Sequence, residues 1–132
     1  MKQKVQSLEL VIGLGANCGD RRSGVAEAIE WLRKRLSAVR ASRIYETPPY
    51  GHVGTPYMNA VVIGIYTQID SLDDFERECK RYEIECGRDE FARSQNLVPI
   101  DIDIVMVGKE ILRPADFNRS FFQIGYKQLI GE

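Results

Sequence analysis

The 132-residue sequence has very few of the residues on which several common kinds of site depend. His52 is its one histidine, which excludes a multi-histidine zinc centre and leaves any Ser-His-Asp triad dependent on that residue. The three cysteines form no C-x-x-C pair, which is typical of reduced thiols rather than of a disulfide framework. No apolar run approaches the roughly 20 residues of a membrane span, and residues 1–7 lack the apolar segment of a signal peptide. We therefore expect a cytoplasmic protein.

A strong charge of either sign is also missing. The chain carries 18 basic and 19 acidic residues, so its net charge of −1 gives no general attraction to nucleic acid or to anionic membranes. We expect neither as a partner, and an RNA-binding module is further disfavoured because no aromatic-rich RNP pattern occurs. Any anionic ligand must be bound by a local cluster of charges. The length is that of one domain, covering residues 1–132.

The most informative stretch that is present, residues 97–108, predicts a β-strand. Alternation puts four apolar residues on one side, where we expect the core: Ile100, Ile102, Ile104 and Met106. The other side begins with Asp101 and Asp103 and continues with Val105 and Val107. This change from charged to apolar indicates a strand that begins at a cleft and ends in packed interior.

Asp101 and Asp103 share one strand face, where their charges repel, so a cation must compensate them. Arginine or lysine could do so in a salt-bridged strand end. A Mg²⁺ ion could also do so, because it takes one or two protein carboxylates and completes its coordination with water and substrate phosphates. The sequence pattern leaves both interpretations open.

The chain as a whole predicts the order β-α-β-β-α-β. Strands are expected at residues 8–14, 39–45 and 58–66, and helices after Asp20 and after Ser71, with Gly87 ending the second. This order is that of an α+β ferredoxin-like fold, an antiparallel sheet with both helices on one face. Cys79 and Cys86 are expected to be buried on the second helix. Residues 109–132 give no clear pattern.

A stiff, proline-containing loop carries Tyr50, and the next strand carries Tyr57 and Asn59. An aromatic face beside an amide suits a planar heterocycle that forms hydrogen bonds. On spacing alone, a core tyrosine and a turn asparagine explain the pattern as well. The glycines at 13, 15 and 19 do not match a dinucleotide fingerprint, because the third is one residue late.

Five short motifs follow one another along the chain. They are residues 12–21 (Ile-Gly-Leu-Gly-Ala-Asn-x-Gly-Asp-Arg), residues 45–51 (Tyr-Glu-Thr-x-Pro-x-Gly), residues 57–61 (Tyr-Met-Asn-Ala-Val), Glu83 with Gly87-Arg88, and residues 100–104 (Ile-Asp-Ile-Asp-Ile). In this order, over about residues 9–124, they resemble the 6-hydroxymethyl-7,8-dihydropterin pyrophosphokinase family of folate biosynthesis. Several motifs in register are far more specific than any one of them.

The resemblance implies an enzyme that moves the β,γ-pyrophosphoryl group of ATP onto the hydroxymethyl oxygen of a pterin and releases AMP. It implies two Mg²⁺ ions bound by Asp101 and Asp103, with Arg88 completing the catalytic set. Its implied pterin contacts are Thr47 and Tyr50 through the loop backbone, Asn59 on the edge of the ring, and Tyr57 with Phe121 on its faces. Its implied ATP contacts are Glu83, Arg88, Ile104 and Arg119.

The chain also departs from the family pattern before the Asp strand. Where the family usually has W-G-P-R-T, this chain has Gln95-Asn96-Leu97-Val98-Pro99, so valine replaces the arginine and glutamine the tryptophan. It also stops at Glu132, short of the family's usual C-terminal portion. Two hypotheses follow: a diverged, shortened pterin pyrophosphokinase, in which activity is reduced or lost, or a non-catalytic relative that binds a pterin, a nucleotide or a protein.

Overall fold

The structure, a computed structural model, describes residues 6–49, 54–68 and 71–131. In chain order its elements are β1 (Gln6–Ala16), α1 (Arg21–Arg33), β2 (Ser37–Ala41), β3 (Tyr45–Thr47), β4 (Tyr57–Gln68), α2 (Leu72–Glu85), α3 (Glu90–Ser94), β5 (Asp101–Val107), β6 (Glu110–Ile111), α4 (Pro114–Phe117) and α5 (Ser120–Ile130).

The strands form one sheet in the order β2-β4-β1-β5-β6, with β3 also paired to β4. Every pairing is antiparallel. The central pair is β1 with β4, which run side by side from Gln6↔Gln68 to Ala16↔Met58. The α+β fold predicted from the sequence is confirmed, and its β-α-β-β-α-β frame is complete by the end of β5.

The helices α1 and α2 pack on one face of the sheet, as predicted. Asp20 caps α1 by accepting a hydrogen bond from the Ser23 N–H at 3.1 Å, and Ser71 caps α2 in the same way from Asp74 at 3.2 Å. Gly87 follows α2 with φ +107°, a conformation that favours glycine at a helix end. Cys79 is buried, but the prediction for Cys86 is wrong, because that residue is exposed at the end of the helix.

The other face of the sheet is covered by α5, from the stretch that the sequence left unassigned. Phe122 packs there against Val11, Val61 and Val105. A methyl group on Gly125 would stand 2.8 Å from a Val61 side-chain carbon, so this glycine allows α5 to lie directly on β4. The helix therefore supplies a second, smaller core.

Two strand predictions need correction. The stretch 97–108 is regular only from Asp101, and a register shift between Val11 and Ile12 leaves an extra residue on β5. Beyond that bulge the alternation reverses, so Met106 packs on the α5 face and not with Ile104. The predicted strand 39–45 is two strands, because the Ser42 hydroxyl takes the place of a backbone carbonyl and accepts from Val61 N–H at 2.8 Å.

Among the residues that the structure describes, none of the helices combines the length and apolar character needed to cross a membrane.

Candidate active site

A pocket of about 190 Å³ opens on the α5 face of the sheet, above the N-terminal half of β5. Residues from β1, β3, β4, β5 and the C-terminal segment line it: Gly13, Leu14, Gly15, Thr47, Pro48, Tyr57, Asn59, Asp101, Asp103, Val105, Arg113, Asp116, Phe121 and Phe122. Six of the residues predicted to contact substrate or metal are among them. The cleft expected at the start of the Asp strand is therefore present.

The floor of the pocket is a row of residues on three neighbouring strands. Gly15 of β1 pairs with Asn59 of β4 on one side and with Asp101 of β5 on the other. Neighbouring strands are about 4.8 Å apart, so the amide and the carboxylate are held roughly 10 Å from each other. A methyl group on Gly15 would stand 3.4 Å from both Asn59 Oδ1 and a Tyr57 ring carbon. The bare glycine keeps the space between them open.

The Asn59 amide is fixed by β3 and by its own strand. Its Nδ2 donates to Thr47 Oγ1 at 2.7 Å and to the carbonyls of Tyr45 and Tyr57 at 3.3 Å each. The residue is only 2% exposed. With Nδ2 committed to these acceptors, Oδ1 is the amide atom turned toward the space above Gly15. Asn59 is therefore oriented to accept hydrogen bonds from a ligand in the pocket.

Aromatic side chains form the walls near Asn59. Tyr57 and Phe121, which the resemblance places on the two faces of a pterin ring, both line this pocket. Phe121 is located by Tyr45, whose hydroxyl donates to the Phe121 carbonyl at 2.6 Å and accepts from Gly125 N–H at 3.1 Å. Tyr50 lies outside the described residues. The structure thus brings together the other residues expected at the pterin end.

The two aspartates at the opposite end of the pocket are held by cations. Arg88 Nη1 lies 2.6 Å from Asp101 Oδ1, and Lys80 Nζ lies 3.3 Å from Asp103 Oδ1. Arg113 reaches within 3.8 Å of the same Asp103 oxygen. The salt-bridge interpretation and the metal-site interpretation are therefore compatible, because the same two carboxylates line the pocket and also form salt bridges.

A buried glutamate links these cations. Glu83 is 3% exposed; its Oε1 accepts from Arg88 at 2.7 Å and its Oε2 accepts from Lys80 at 3.0 Å. Oε2 also accepts from the N–H of Ile102, between the two aspartates, at 2.8 Å. Lys80 in turn donates to the Ile102 carbonyl at 2.9 Å. Glu83 is therefore engaged within the protein and fixes the cations that hold the pair.

The pKa values of the two aspartates are shifted in opposite directions. Burial, followed by the hydrogen bond and charge of Asp101, raises the pKa of Asp103 to about 7. Burial acts on Asp101 in the same sense, but the hydrogen bond from Asp103 and the charge of Arg88 outweigh it and lower the pKa of Asp101. Asp101 is therefore the carboxylate that stays ionised near neutral pH, and Asp103 is the one that titrates there in the absence of a bound cation.

The remaining predicted ATP contacts lie outside the pocket lining. Ile104 is buried in the core under α1 and α2, so only its backbone could meet a ligand. Arg119 is exposed just before α5. Conversely, Lys80 and Asp116 belong to the site and were not predicted, whereas Arg113 is one of the arginines that flank the Asp strand in the sequence. Lys80 shares α2 with Glu83, whose place in the apolar stripe four residues after Cys79 was a signal of a buried charge.

The loop before β5, which carries Gln95 and Val98, is anchored to the first turn of the chain. Asn17 is 2% exposed and donates to the Asn96 carbonyl at 2.8 Å, while its Oδ1 accepts from Val98 N–H at 2.6 Å. The backbones of Asn17 and Val98 pair as well, at 2.9 Å. Asn17 thus holds this loop through three hydrogen bonds, two of which are to the backbone of Val98.

Comparison with known proteins gives a consistent result. A family model described as 7,8-dihydro-6-hydroxymethylpterin-pyrophosphokinase (HPPK) matches residues 11–130. A 2-amino-4-hydroxy-6-hydroxymethyldihydropteridine pyrophosphokinase of Porphyromonas gingivalis is 36% identical over 103 residues, which cover 72% of this chain and 66% of that protein.

Two plant proteins are also similar to this chain. A folate synthesis bifunctional protein of Arabidopsis thaliana is 33% identical over 103 residues, 76% of this chain and 21% of its own length. A mitochondrial folate synthesis bifunctional protein of Pisum sativum is 33% identical over 113 residues, 80% of this chain and 20% of its own length. The chain therefore spans about a fifth of the length of these bifunctional relatives.

Proposed function

The chain belongs to the 7,8-dihydro-6-hydroxymethylpterin-pyrophosphokinase family, and on that premise we propose that it transfers pyrophosphate from ATP to the hydroxymethyl group of 6-hydroxymethyl-7,8-dihydropterin. In this reaction the hydroxymethyl oxygen forms a bond to the β-phosphorus of ATP, and the bond between that phosphorus and the α,β-bridging oxygen breaks. AMP leaves, and the hydroxyl proton passes to solvent. The observation that carries the proposal is the row Asn59, Gly15 and Asp101 across the pocket floor.

The pterin belongs at the Asn59 end of this row. A pterin ring is flat and carries N–H donors on the edge that bears its amino group, which matches the acceptor that Asn59 presents. Tyr57 and Phe121 supply aromatic surface on the walls, where stacking adds to the buried apolar area. With the amino edge at Asn59, the hydroxymethyl group extends toward Asp101, the end where charge chemistry is possible.

Mg²⁺ fits the other end. Among the described residues no three His, Cys, Asp or Glu side chains cluster as a metal site, so the proposed ligands are the pair Asp101 and Asp103. Two carboxylates suffice for ions that complete their coordination with water and phosphate oxygens. Bound there, Mg²⁺ would offset the charge of the ATP phosphates. Asp101 and Asp103 would hold the two ions, and Arg88, ion-paired with Asp101, would orient that carboxylate.

The chain's own groups contribute by position and charge. Transfer of a phosphoryl-type group depends mainly on alignment of the reacting oxygens and on stabilisation of phosphate charge. Arg88 and Arg113 are the guanidinium groups closest to the aspartates. A general-base histidine is not needed for this chemistry, since the attacking hydroxyl loses its proton as its bond to phosphorus forms.

A second candidate is a relative that binds the pterin without transferring pyrophosphate. The observation that favours it is Val98, which stands where the family usually has an arginine and whose backbone is fixed by Asn17. An apolar side chain there provides no contact for phosphate charge. The two candidates share the pterin pocket and differ only in transfer.

One experiment separates them. Binding of a non-hydrolysable ATP analogue is measured by calorimetry with Mg²⁺, with and without 6-hydroxymethylpterin, and AMP release from ATP is then assayed with 6-hydroxymethyl-7,8-dihydropterin. Binding of both ligands with AMP release supports the pyrophosphokinase. Pterin binding without AMP release supports the non-catalytic relative, and failure to bind a pterin contradicts both.

The metal site has its own test. We expect Asp101→Ala to abolish Mg²⁺-dependent ATP binding and to leave the fold intact, since Asp101 lies at a partly exposed strand start. Asp73→Ala, an exposed acidic residue of α2, is the matched control. Unchanged ATP affinity in Asp101→Ala would show that these carboxylates do not hold the ions.

A cytoplasmic location and the lack of nucleic-acid or membrane partners remain predictions of the sequence. The pea relative is named as mitochondrial, so the location of this chain needs a direct measurement by fractionation or microscopy.

A further inference from the structure

The Lys80 ammonium occupies a cluster of three oxygens beside the Asp pair. Its Nζ lies 2.9 Å from the Ile102 carbonyl oxygen, 3.0 Å from Glu83 Oε2 and 3.3 Å from Asp103 Oδ1. An ammonium group has three N–H donors, and here each has one oxygen acceptor. Carbonyl and carboxylate oxygens are also the ligands that hard cations prefer. Lys80 is thus a cation of the protein itself, placed on one of the two carboxylates proposed for the metal.

The two cations that hold the pair are not equivalent. Arg88 contacts Asp101 at 2.6 Å and Glu83 at 2.7 Å, whereas the distance from Lys80 to Asp103 is the longest of its three contacts. The Lys80 side chain is 42% exposed and the Arg88 side chain 24%. Lys80 can therefore leave Asp103 and keep its contacts to Glu83 and Ile102, and Asp103 is the carboxylate whose cation can be exchanged.

We propose that Lys80 is a tethered competitor for divalent cations at Asp103 and makes metal binding at the Asp pair depend on bound nucleotide. Without nucleotide, the ammonium offsets the charge of ionised Asp103 and occupies its oxygen, so divalent cations bind weakly there. Nucleotide phosphates add negative charge and ligand oxygens, so a divalent cation then displaces Lys80 from Asp103. This inference rests on the proposed metal site and adds the residue that sets its affinity.

The size of the effect follows from charge. A unit positive charge about 4 Å away repels a divalent cation even in water, and more strongly where water is partly excluded, so removing it should strengthen binding at least about tenfold. The effect should be largest without nucleotide, because displacement of Lys80 is then the main obstacle. A neighbouring lysine or arginine that does not contact the cluster should have a much smaller influence.

The test uses Mn²⁺ as a paramagnetic probe, whose binding is followed by electron paramagnetic resonance on the full chain, with and without a non-hydrolysable ATP analogue. Lys80→Gln removes the charge and keeps an N–H donor. Arg81→Gln makes the same charge change at an exposed, neighbouring position of α2 and is the matched control. Circular dichroism verifies folding, and Lys80→Met, which keeps part of the aliphatic stem, is the second variant.

We expect Lys80→Gln to bind Mn²⁺ without nucleotide at least about tenfold more tightly than the wild type, and to lose most of the increase in affinity that the analogue produces. Arg81→Gln should resemble the wild type. If both Lys80 variants bind Mn²⁺ no more tightly than the wild type, and the wild type does bind Mn²⁺, the inference about Lys80 is wrong but the proposed metal site stands. If Arg81→Gln strengthens binding as much as Lys80→Gln, the effect is general and the inference is also wrong. Absence of Mn²⁺ binding in every protein, with the analogue present, overturns both this inference and the proposed metal site.

Discussion

The buried carboxylate of Glu83 accepts a hydrogen bond at 2.8 Å from the N–H of Ile102, the residue between the two aspartates. With Lys80 on the Ile102 carbonyl, two side chains one helical turn apart satisfy the outward backbone groups of β5 at this point. Without these two contacts, the unpaired backbone groups of β5 would be a template for pairing with a strand of another chain. The same contacts therefore hold the Asp pair and close the edge of the sheet.

Replacing Glu83 should weaken the whole fold. Glu83→Gln keeps the shape and one acceptor for Ile102, but leaves Arg88 and Lys80 without their shared counter-ion. We expect the free energy of unfolding to fall by about 1–3 kcal/mol, as for loss of one member of a buried charged network. Urea unfolding at pH 7 measures it. Glu85→Gln, exposed on the same helix, should change stability by less than about 0.5 kcal/mol. An equal loss in both variants would contradict the special role of Glu83.

Replacing Asn59 should weaken pterin binding, which Asn59→Ala tests. The variant loses the acceptor at the pocket floor, which should weaken pterin binding by about 1–3 kcal/mol, or roughly 5- to 150-fold. Calorimetry with 6-hydroxymethylpterin measures the change. Thr47→Val is an informative companion, because it removes the hydroxyl that holds Asn59 Nδ2 at 2.7 Å but leaves the amide in place. A smaller loss is expected there, and full pterin affinity in Asn59→Ala would contradict the proposed orientation.

Stability should depend on pH through Asp103. Its pKa is raised to about 7 in the folded protein, whereas an unfolded aspartate titrates near 3.9. Below about pH 4 Asp103 is protonated in both the folded and the unfolded state. Between about pH 4 and 7 only the folded state keeps the proton, so each rise in pH favours the unfolded state, and above about pH 7 the stabilisation of the folded state by this proton is gone. We expect the free energy of unfolding to decrease between about pH 4 and 7 in metal-free protein. Asp103→Asn should flatten this part of the profile and be more stable at pH 8, while Asp73→Asn should follow the wild type. An unchanged profile in Asp103→Asn would argue against the raised pKa.

Asn17→Ala should release the loop before β5. The variant loses the side-chain hydrogen bonds to Asn96 and Val98, and we expect a destabilisation of about 1–3 kcal/mol for these two part-buried bonds. Faster amide hydrogen exchange confined to residues 95–98 would locate the effect. Exchange that rises equally across the sheet would show instead that Asn17 stabilises the fold as a whole.

The sequence predicts much of the site because its pattern is local. Alternation along one strand places Asp101 and Asp103 together, and the fold of βαββαβ type brings β1, β4 and β5 side by side, so that Gly15 meets Asn59 and Asp101. The contact of Lys80 was missed because α2 approaches the aspartates only through tertiary packing. Met106 was assigned to the wrong face because a bulge is a property of two paired strands, and one strand's alternation does not reveal it.

The helix α5 in the C-terminal stretch could not be predicted from the sequence for another reason. Residues 120–130 contain a glycine where a helix former would be expected, and glycine is unfavourable inside a helix. Gly125 is needed only in the packed structure, where its lack of a side chain allows α5 to contact Val61 and the hydroxyl of Tyr45 closely. Tertiary packing outweighs local propensity at this position.

The bond between Tyr45 and the Phe121 carbonyl joins groups 76 residues apart, and it places one wall of the pocket. During synthesis the strands that form the floor are made before the segment that completes the wall, whereas a domain generally folds as a unit. A ligand that contacts both Tyr57 and Phe121, as proposed for the pterin, could thus stabilise only a chain in which α5 has already been made. Until α5 has been made, the apolar face that includes Val11, Val61 and Val105 lacks the helix that covers it in the folded protein.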